Sequence, residues 1–427
     1  FGRDTADVTD RQNVQIHWIR IEDAPEIWRR LEAVGLSTTE ACGDVPRVIL
    51  GSPVAGIDAE ELIDPTPIID ELKERFIGDP ELANLPRKFK TAITGNPSHD
   101  TVHEINDFSL VAVNHPEHGI GFNFFVGGGL STNPKLAEDV GVFITPEQVT
   151  DVWHGTIQIF RDYGYRRLRN RARLKFLISD WGVEKFRTVL EEEYLGYTLQ
   201  DGIELPAPTR SGDHVGVHPQ KDGNNYIGLA PMVGRISGTT LIELAKLAES
   251  VGSQRLRTTV YQKLIILDVP DAKVQEVLDG AQKLGLTAEP SIFRRNTIAC
   301  TGIEYCKLAI VDTKQTAINA INELEIRLAD VKEQLPEKFN VYINGCPNAC
   351  ARTQTADIGL KGQIITNDAG EQVPGFQVHL GGTLADYLND GAGNLGKTVR
   401  GLKVASSELV DYLERVLRRY LQNRDSA

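Results

Sequence analysis

Cysteine is scarce in this chain, with five in 427 residues. That is too few to staple a fold of this size, and it fits a reducing compartment better than a disulfide-bonded secreted protein. Long apolar runs are also absent. No stretch approaches the ~20 residues that a helix needs to cross a bilayer, so no membrane association is expected. The opening Phe1-Gly-Arg-Asp4 shows no signal-like segment, and a cytoplasmic location is expected. Positive charge is in deficit. Forty-six Lys and Arg against 59 Asp and Glu leave a formal net charge of −13, which argues against nucleic acid as a bulk partner. Gly127-Gly128-Gly129 lacks the lysine of a P-loop and the spacing of a dinucleotide fingerprint, so nucleotide binding is not supported. What remains, 41% hydrophobic and 25% charged residues, is ordinary for two or three globular domains.

The few cysteines are placed unevenly. Four of them form a C-x5-C pair, Cys300 and Cys306, and a C-x3-C pair, Cys346 and Cys350. Four thiolates brought together hold zinc or an iron–sulfur cluster. The wider first pair suits zinc poorly and favours a cluster, with zinc, disulfides or unpaired core cysteines as the alternatives. The histidine pairs His99/His103, His115/His118 and His214/His218 have metal-like intervals, but Pro and Gly in the latter two indicate loops. No second metal site is expected.

The chain also repeats itself. Arg11-Gln12-Asn13-Val14-Gln15-Ile16 opens a strand-then-helix segment ending at Gly35, and Tyr261-Gln262-Lys263 opens a similar one ending at Gly285, at an offset of 250. Gly121-Phe122 through Gly127-Gly128 parallels Gly375-Phe376 through Gly381-Gly382 at an offset of 254. Two matches at nearly one offset indicate an internal duplication of two halves facing each other. The expected division is a first large domain over 1–195, a linker over 196–213, a small half-domain over 214–290 and a second large domain over 291–427. The second copy has strand and helix signals before Gln262 that the first copy lacks before Gln12, so the chain is expected to be a piece of a longer protein.

Leu85-Pro86-Arg87-Lys88-Phe89-Lys90 sets three cations in four residues. In extended backbone Lys88 and Lys90 share a face opposite Arg87 and Phe89, as a pair converging on one anion would. Alone, the run reads more readily as a solvated surface, and it is the motif context that reverses this.

The motifs A-C-T-G-I-E-Y-C (299–306) and N-G-C-P-N-A-C-A-R (344–352) resemble those of the sirohaem-dependent nitrite and sulfite reductases. So do R-D-T-A-D-V-T-D-R-Q-N (3–13), A-C-G-D-V-P-R (41–47), L-P-R-K-F-K and V-G-G-G-L-S-T-N-P (126–134), and the likeness is greatest to the ferredoxin-dependent actinobacterial type. The resemblance implies an α+β, internally duplicated, pseudo-twofold fold whose first small half-domain is missing here. It implies a [4Fe–4S] cluster on Cys300, Cys306, Cys346 and Cys350, with Cys350 also bridging to the sirohaem iron. Arg47, Lys88 and Lys90 correspond to residues that bind the substrate oxyanion. Arg11, Gln12, Gln15, Arg87, Asn348 and Arg352 are candidates for lining the sirohaem, a polycarboxylate that needs a basic pocket. The duplicated glycines would then mark close approach of backbone to the macrocycle or to the twin half. Pro347 and Asn348 would shape a turn that aims N–H groups at the cluster sulfurs.

Sulfite reduction to sulfide, by six electrons taken from ferredoxin, is the implied reaction; nitrite reduction to ammonia is the alternative. Arg161–Lys175 carries seven cations against one acid, which reads as a docking patch for acidic ferredoxin, an RNA-binding patch, a plain solvated face or a set of inward-pointing arginines serving the cofactor. In one branch of the family a cysteine at the position of Cys42 is joined to a tyrosine, which would lie in the missing segment. Two other classes compete: an electron-transfer protein with a lost active site, and a zinc-stabilised RNA-binding protein.

Overall fold

The computed structural model describes residues 1–367 and 369–424. Its backbone is built from two large mixed sheets and two small units. The first large sheet has the order Leu50–Gly51, Thr91–Thr94, Phe108–His115, Gly119–Val126, Glu138–Ile144, Gln200–Asp201. The second runs Thr297–Ala299, Val341–Asn344, Ile358–Thr366, Gln372–Leu380, Lys397–Ala405. In both, the first three strands are parallel and the next two pair antiparallel. A helix of 15 residues follows each, Val149–Tyr163 and Leu409–Asn423. Apolar side chains on one face of each sheet meet the helices in separate cores, one around Trp153 and Phe160 and the other around Leu324, Leu413 and Leu417. The C-terminal helix buries Leu409, Tyr412, Leu413 and Leu417.

The small units repeat as well. Strands Ala6–Val8 and Val14–Ile16 pair Ala6 with Ile16 and Val8 with Val14, while Leu256–Thr258 and Leu264–Val269 pair Leu256 with Ile266 and Thr258 with Leu264. Both hairpins turn on a left-handed glutamine, Gln12 (φ 57°) and Gln262 (φ 59°). The second unit adds Gly216–Pro219 and Asn225–Leu229 to make a four-stranded sheet under helices Gly238–Ser250 and Val274–Lys283. Around the first, Arg235–Ile236 supplies the third strand. The stretch 196–213, read as a linker, contributes Gln200–Asp201 to the edge of the first large sheet.

The second glycine of each duplicated pair makes a close backbone approach within its own half. A Cβ on Gly128 would lie 2.4 Å from the Glu104 carbonyl oxygen, and one on Gly382 would lie 2.3 Å from that of Gln354. Each packs against a short turn of its own half. The Gly128→Ala protein is therefore expected to lose ~1–3 kcal/mol of stability, because rigid backbone has to move. Thermal unfolding at unchanged cofactor content reads this directly, and an unaltered Tm would disprove the close packing.

Candidate functional site

Between the halves, the loops that leave the parallel strands bring the predicted residues together. Strand Val341–Asn344 runs straight into Gly345-Cys346, and the Asn344 side chain fixes the loop that follows. Its Oδ1 accepts from Ala351 N at 2.6 Å and its Nδ2 donates to Ala351 O at 3.2 Å. Ala349 (φ 53°) and Arg352 (φ 56°) take the left-handed conformation within this turn. Cys300 follows the neighbouring strand, with its amide bonded to Ile343 O at 3.1 Å. Gly345 N donates to Cys300 Sγ at 3.2 Å. Pro347 turns its carbonyl to Ser131 Oγ, 3.2 Å away, in the first half. All five cysteines are free thiols. Among the described residues no three ligating side chains converge on a single ion; a cluster, whose irons each take their own thiolate, has no such requirement.

Opposite the cysteines stands a crowd of cations. Phe89 is fully buried against Trp153 and Phe160, which sends Lys88 and Lys90 to the other side of the extended chain. The parallel bridge between Pro46 and Phe89, with Arg47 N bonded to Phe89 O at 2.8 Å, sets Arg47 beside them. Burial depresses the Lys88 ammonium, as do the nearby Arg173, Arg47 and Arg87. Lys90 is pushed well down by burial and by Arg11, Lys88 and Arg173. Burial brings Arg11 down to about 10, with Arg173 and Arg352 adding to the effect against Asp10 and Asp107. The Cys350 thiol is open to the cleft. It is raised to about 12 by burial and by Asp10 and Cys300, while Lys90 and Lys88 pull it down. Lys88 and Lys90, carried by the first half, therefore face Cys350 of the second.

The remaining predicted residues have defined partners. Arg11 donates to Asn106 Oδ1 at 2.8 Å and Val48 O at 2.9 Å. Gln12 Nε2 donates to Gly51 O at 2.8 Å, joining the small unit to the large sheet. Gln15 Oε1 accepts from Thr301 Oγ1 at 2.9 Å, next to Cys300. Arg87 pairs with Asp44 at 3.3 Å. Asn348 is exposed on its turn. Arg352 is 1% exposed, lies over the Tyr261 ring at 5.2 Å and donates to the Asp10 and Val260 carbonyls.

The proposed docking patch is mostly spoken for. Arg161 pairs with Asp162 at 2.8 Å, and Arg169 pairs with Asp44 at 2.8 Å. Arg173 grips buried Asp107 with two bonds of 3.0 and 2.7 Å, and Asp107 also accepts from Lys90 N at 2.9 Å. Lys175 is 2% exposed and ties down the carbonyls of Gly129, Leu130, Thr132 and Asn133 at 2.8–3.1 Å. Arg173 thus belongs to the cation cluster, the inward placement that the sequence left open for arginines of this run. Its signal was the run of cations itself, which is too dense to stay wholly on a solvated surface.

Such a cluster calls for an anion. Arg11 Nε and Arg47 Nε are buried N–H groups without a hydrogen-bond partner, and buried donors in native folds are almost always satisfied. A polycarboxylate ligand fits them.

Models of two domain families cover most of the chain. The nitrite and sulphite reductase 4Fe-4S domain matches residues 42–199 and 292–427, and the nitrite/sulfite reductase ferredoxin-like half domain matches 1–34 and 218–284. The chain belongs to the nitrite and sulfite reductase family. As a member of that family it is an oxidoreductase. It is 56% identical over 426 residues to the protein named sulfite reductase [ferredoxin] 1 of Mycolicibacterium paratuberculosis, covering 100% of this chain and 75% of that one. The solved structure of the Mycobacterium tuberculosis NirA protein superposes with a TM-score of 0.96 at 54% identity, covering 100% of this chain and 77% of that one. A more distant member, the assimilatory ferredoxin-dependent nitrite reductase of Haloferax mediterranei, is 38% identical over 404 residues, or 90% of this chain and 68% of that one. Among the described residues no helix is long and apolar enough to cross a membrane.

Proposed function

We propose that this reductase converts sulfite to sulfide, with ferredoxin as its electron donor. In this reading Cys300, Cys306, Cys346 and Cys350 would hold a [4Fe–4S] cluster, and Cys350 would also help to hold the sirohaem. When bound, the cluster supplies electrons singly and the sirohaem supplies the iron that takes the substrate. The observation that carries the reading is the meeting of Lys88 and Lys90 with Cys350 across the two halves. It puts concentrated positive charge beside the thiolate from which electrons leave.

The roles of the other residues follow from their surroundings. Lys88, Lys90 and Arg47 bind the oxyanion and stabilise the charge that builds as its oxygens depart; the lysines also donate protons to them. Arg11 and the unpartnered N–H groups of Arg47 take carboxylates of the macrocycle. Arg352, bound on several sides, holds the Cys350 turn against Asp10 and Tyr261 rather than reaching into the cleft. Gln12 braces the small unit against the first large sheet, Gln15 braces it against the loop of Cys300, Asn348 stands exposed on its turn at the rim, and Arg87 holds Asp44. The chain divides functionally at 196–213 into two halves, one bringing the cations and the other the cysteines. Of the Arg161–Lys175 stretch only Arg166, Arg167 and Arg171 remain to meet an acidic donor.

Sulfite is favoured over nitrite because the greater identity is to proteins named sulfite reductases. Steady-state turnover with reduced ferredoxin tests this. A kcat/KM for sulfite at least ~10-fold above that for nitrite is expected, equivalent to ~1.4 kcal/mol of selective transition-state binding. A reversed preference would assign the same site to nitrite.

A further inference from the structure

A duplicated fold has two places where a site can form, and only one has been described. Leu85-Pro86-Arg87-Lys88-Phe89-Lys90 recurs as Leu335-Pro336-Glu337-Lys338-Phe339-Asn340. Strand register supplies the counterpart of Arg47: Leu50 lies opposite Ala92 in one sheet and Ile298 opposite Tyr342 in the other, which sets Arg295 where Arg47 stands. The cysteine loop is repeated too. His99 (φ 52°) and Val102 (φ 50°) reproduce Ala349 (φ 53°) and Arg352 (φ 56°), so Asp100 takes the place of Cys350 and Asn96 that of Cys346. The same register places Ser52 where Cys300 stands.

This twin site is filled from within by two adjacent residues between the halves. Asp213 accepts two bonds from Arg295, Nε at 2.6 Å and Nη2 at 2.9 Å. Next to it, His214 Nε2 meets Asp100 Oδ2 at 2.8 Å, an oxygen that also accepts from Ser52 Oγ at 2.7 Å. Asp213 is 5% exposed and His214 is 1% exposed. Lys338 pairs with Asp386. Between Asp213, Arg295, Asn296, Lys338 and Asn340 there remains a cavity of about 10 Å³, room for one water at most. Asn296 Nδ2, at its wall, is buried and has no partner. Burial would lift the Asp213 carboxyl, but the hydrogen bonds and charge of Arg295 outweigh it and bring it down to about 2.

We propose that Arg295, Lys338, Asn296 and Asn340 form a second oxyanion-binding pocket, and that the Asp213 carboxylate is its resident anion, supplied by the chain itself. One set of cations is left open for an external anion; the other is closed by an internal one. The pocket stands on its own geometry, so it holds whichever substrate the open site takes. Removing the Asp213 carboxylate leaves a space that a small free carboxylate, formate above all, fits in size and charge.

The test is thermal unfolding of the Asp213→Ala holoenzyme against rising formate, with chloride at matched ionic strength as control. The variant is expected to melt below the parent and to recover saturably with formate by roughly 2 °C or more. Chloride should give no such recovery, the parent should show no formate-specific gain, and adding Arg295→Ala should abolish the effect. A folded Asp213→Ala protein that melts like the parent, or gains nothing specific from formate, overturns the proposal. Should Asp213→Ala fail to fold, Asp213→Asn decides. The isosteric amide is expected to melt lower and to ignore formate, because it still fills the pocket; a melting point equal to the parent's shows that no anion is needed there.

Discussion

Replacing Cys350 with serine is expected to abolish sulfite turnover while leaving the chain folded. The turn around Cys350 is shaped by Asn344, which grips the backbone of Ala351 from both sides, so the thiol is not needed for the loop's conformation. Cys350 is also the cysteine open to the cleft in which Lys88 and Lys90 stand. Serine keeps the size but is a poor, hard ligand for iron where thiolate is a good one. In the proposed arrangement it breaks the shared ligand between electron reservoir and substrate-binding iron. A loss of at least ~10³-fold in kcat is expected, or about 4 kcal/mol of transition-state stabilisation. Activity assays with iron and sulfide quantitation on the same sample separate the causes. Retention of more than about a tenth of the activity would sink the shared-ligand role, because an electron route that bypasses Cys350 would then exist.

Local pattern made part of this site legible and left the rest hidden, for physical reasons. The strand alternation of Arg87-Lys88-Phe89-Lys90 was enough to put both lysines on one side, because Phe89 has only one apolar place to go. The cysteine spacing was enough to pair the two loops. Which arginine of the 161–175 run turns inward was not legible, because the turn of Arg173 depends on Asp107, a buried carboxylate far away in sequence that also holds Lys90 N. No local periodicity encodes such a contact. Tyr420 falls on the apolar spacing of Leu409, Leu413, Val416 and Leu417 in the last helix, yet it is 49% exposed. Tyr412 is the tyrosine that this helix buries. The recurrence of Leu85–Lys90 as Leu335–Asn340 was open to reading in the sequence. Of the three cations that make the first copy conspicuous, the second keeps only Lys338.

Changing Lys88 or Lys90 to methionine is expected to lower kcat/KM for sulfite by ~10²-fold each, the usual cost of removing one preorganised donor from a site where negative charge accumulates. Methionine keeps the bulk and flexibility of the stem and removes only the charge. The two losses should not add, because each ammonium already destabilises the other: burial and mutual repulsion both push Lys90 down. Losing one relieves the other, so the double variant is expected to fall short of the product of the singles. The partition between constants then tells what the lysines do. Cations that only hold the oxyanion raise KM and spare kcat, whereas cations that meet charge developing on departing oxygens lower kcat. A fall in kcat is expected for Lys90, the more deeply buried of the pair, where a fixed charge in a dry site counts most. Lys90→Arg keeps that charge but replaces a compact ammonium by a wide planar fork. It should therefore recover binding before it recovers turnover. A Lys90→Met protein with unchanged kcat and raised KM would reduce this residue to an anchor and leave the proton supply to Lys88 alone.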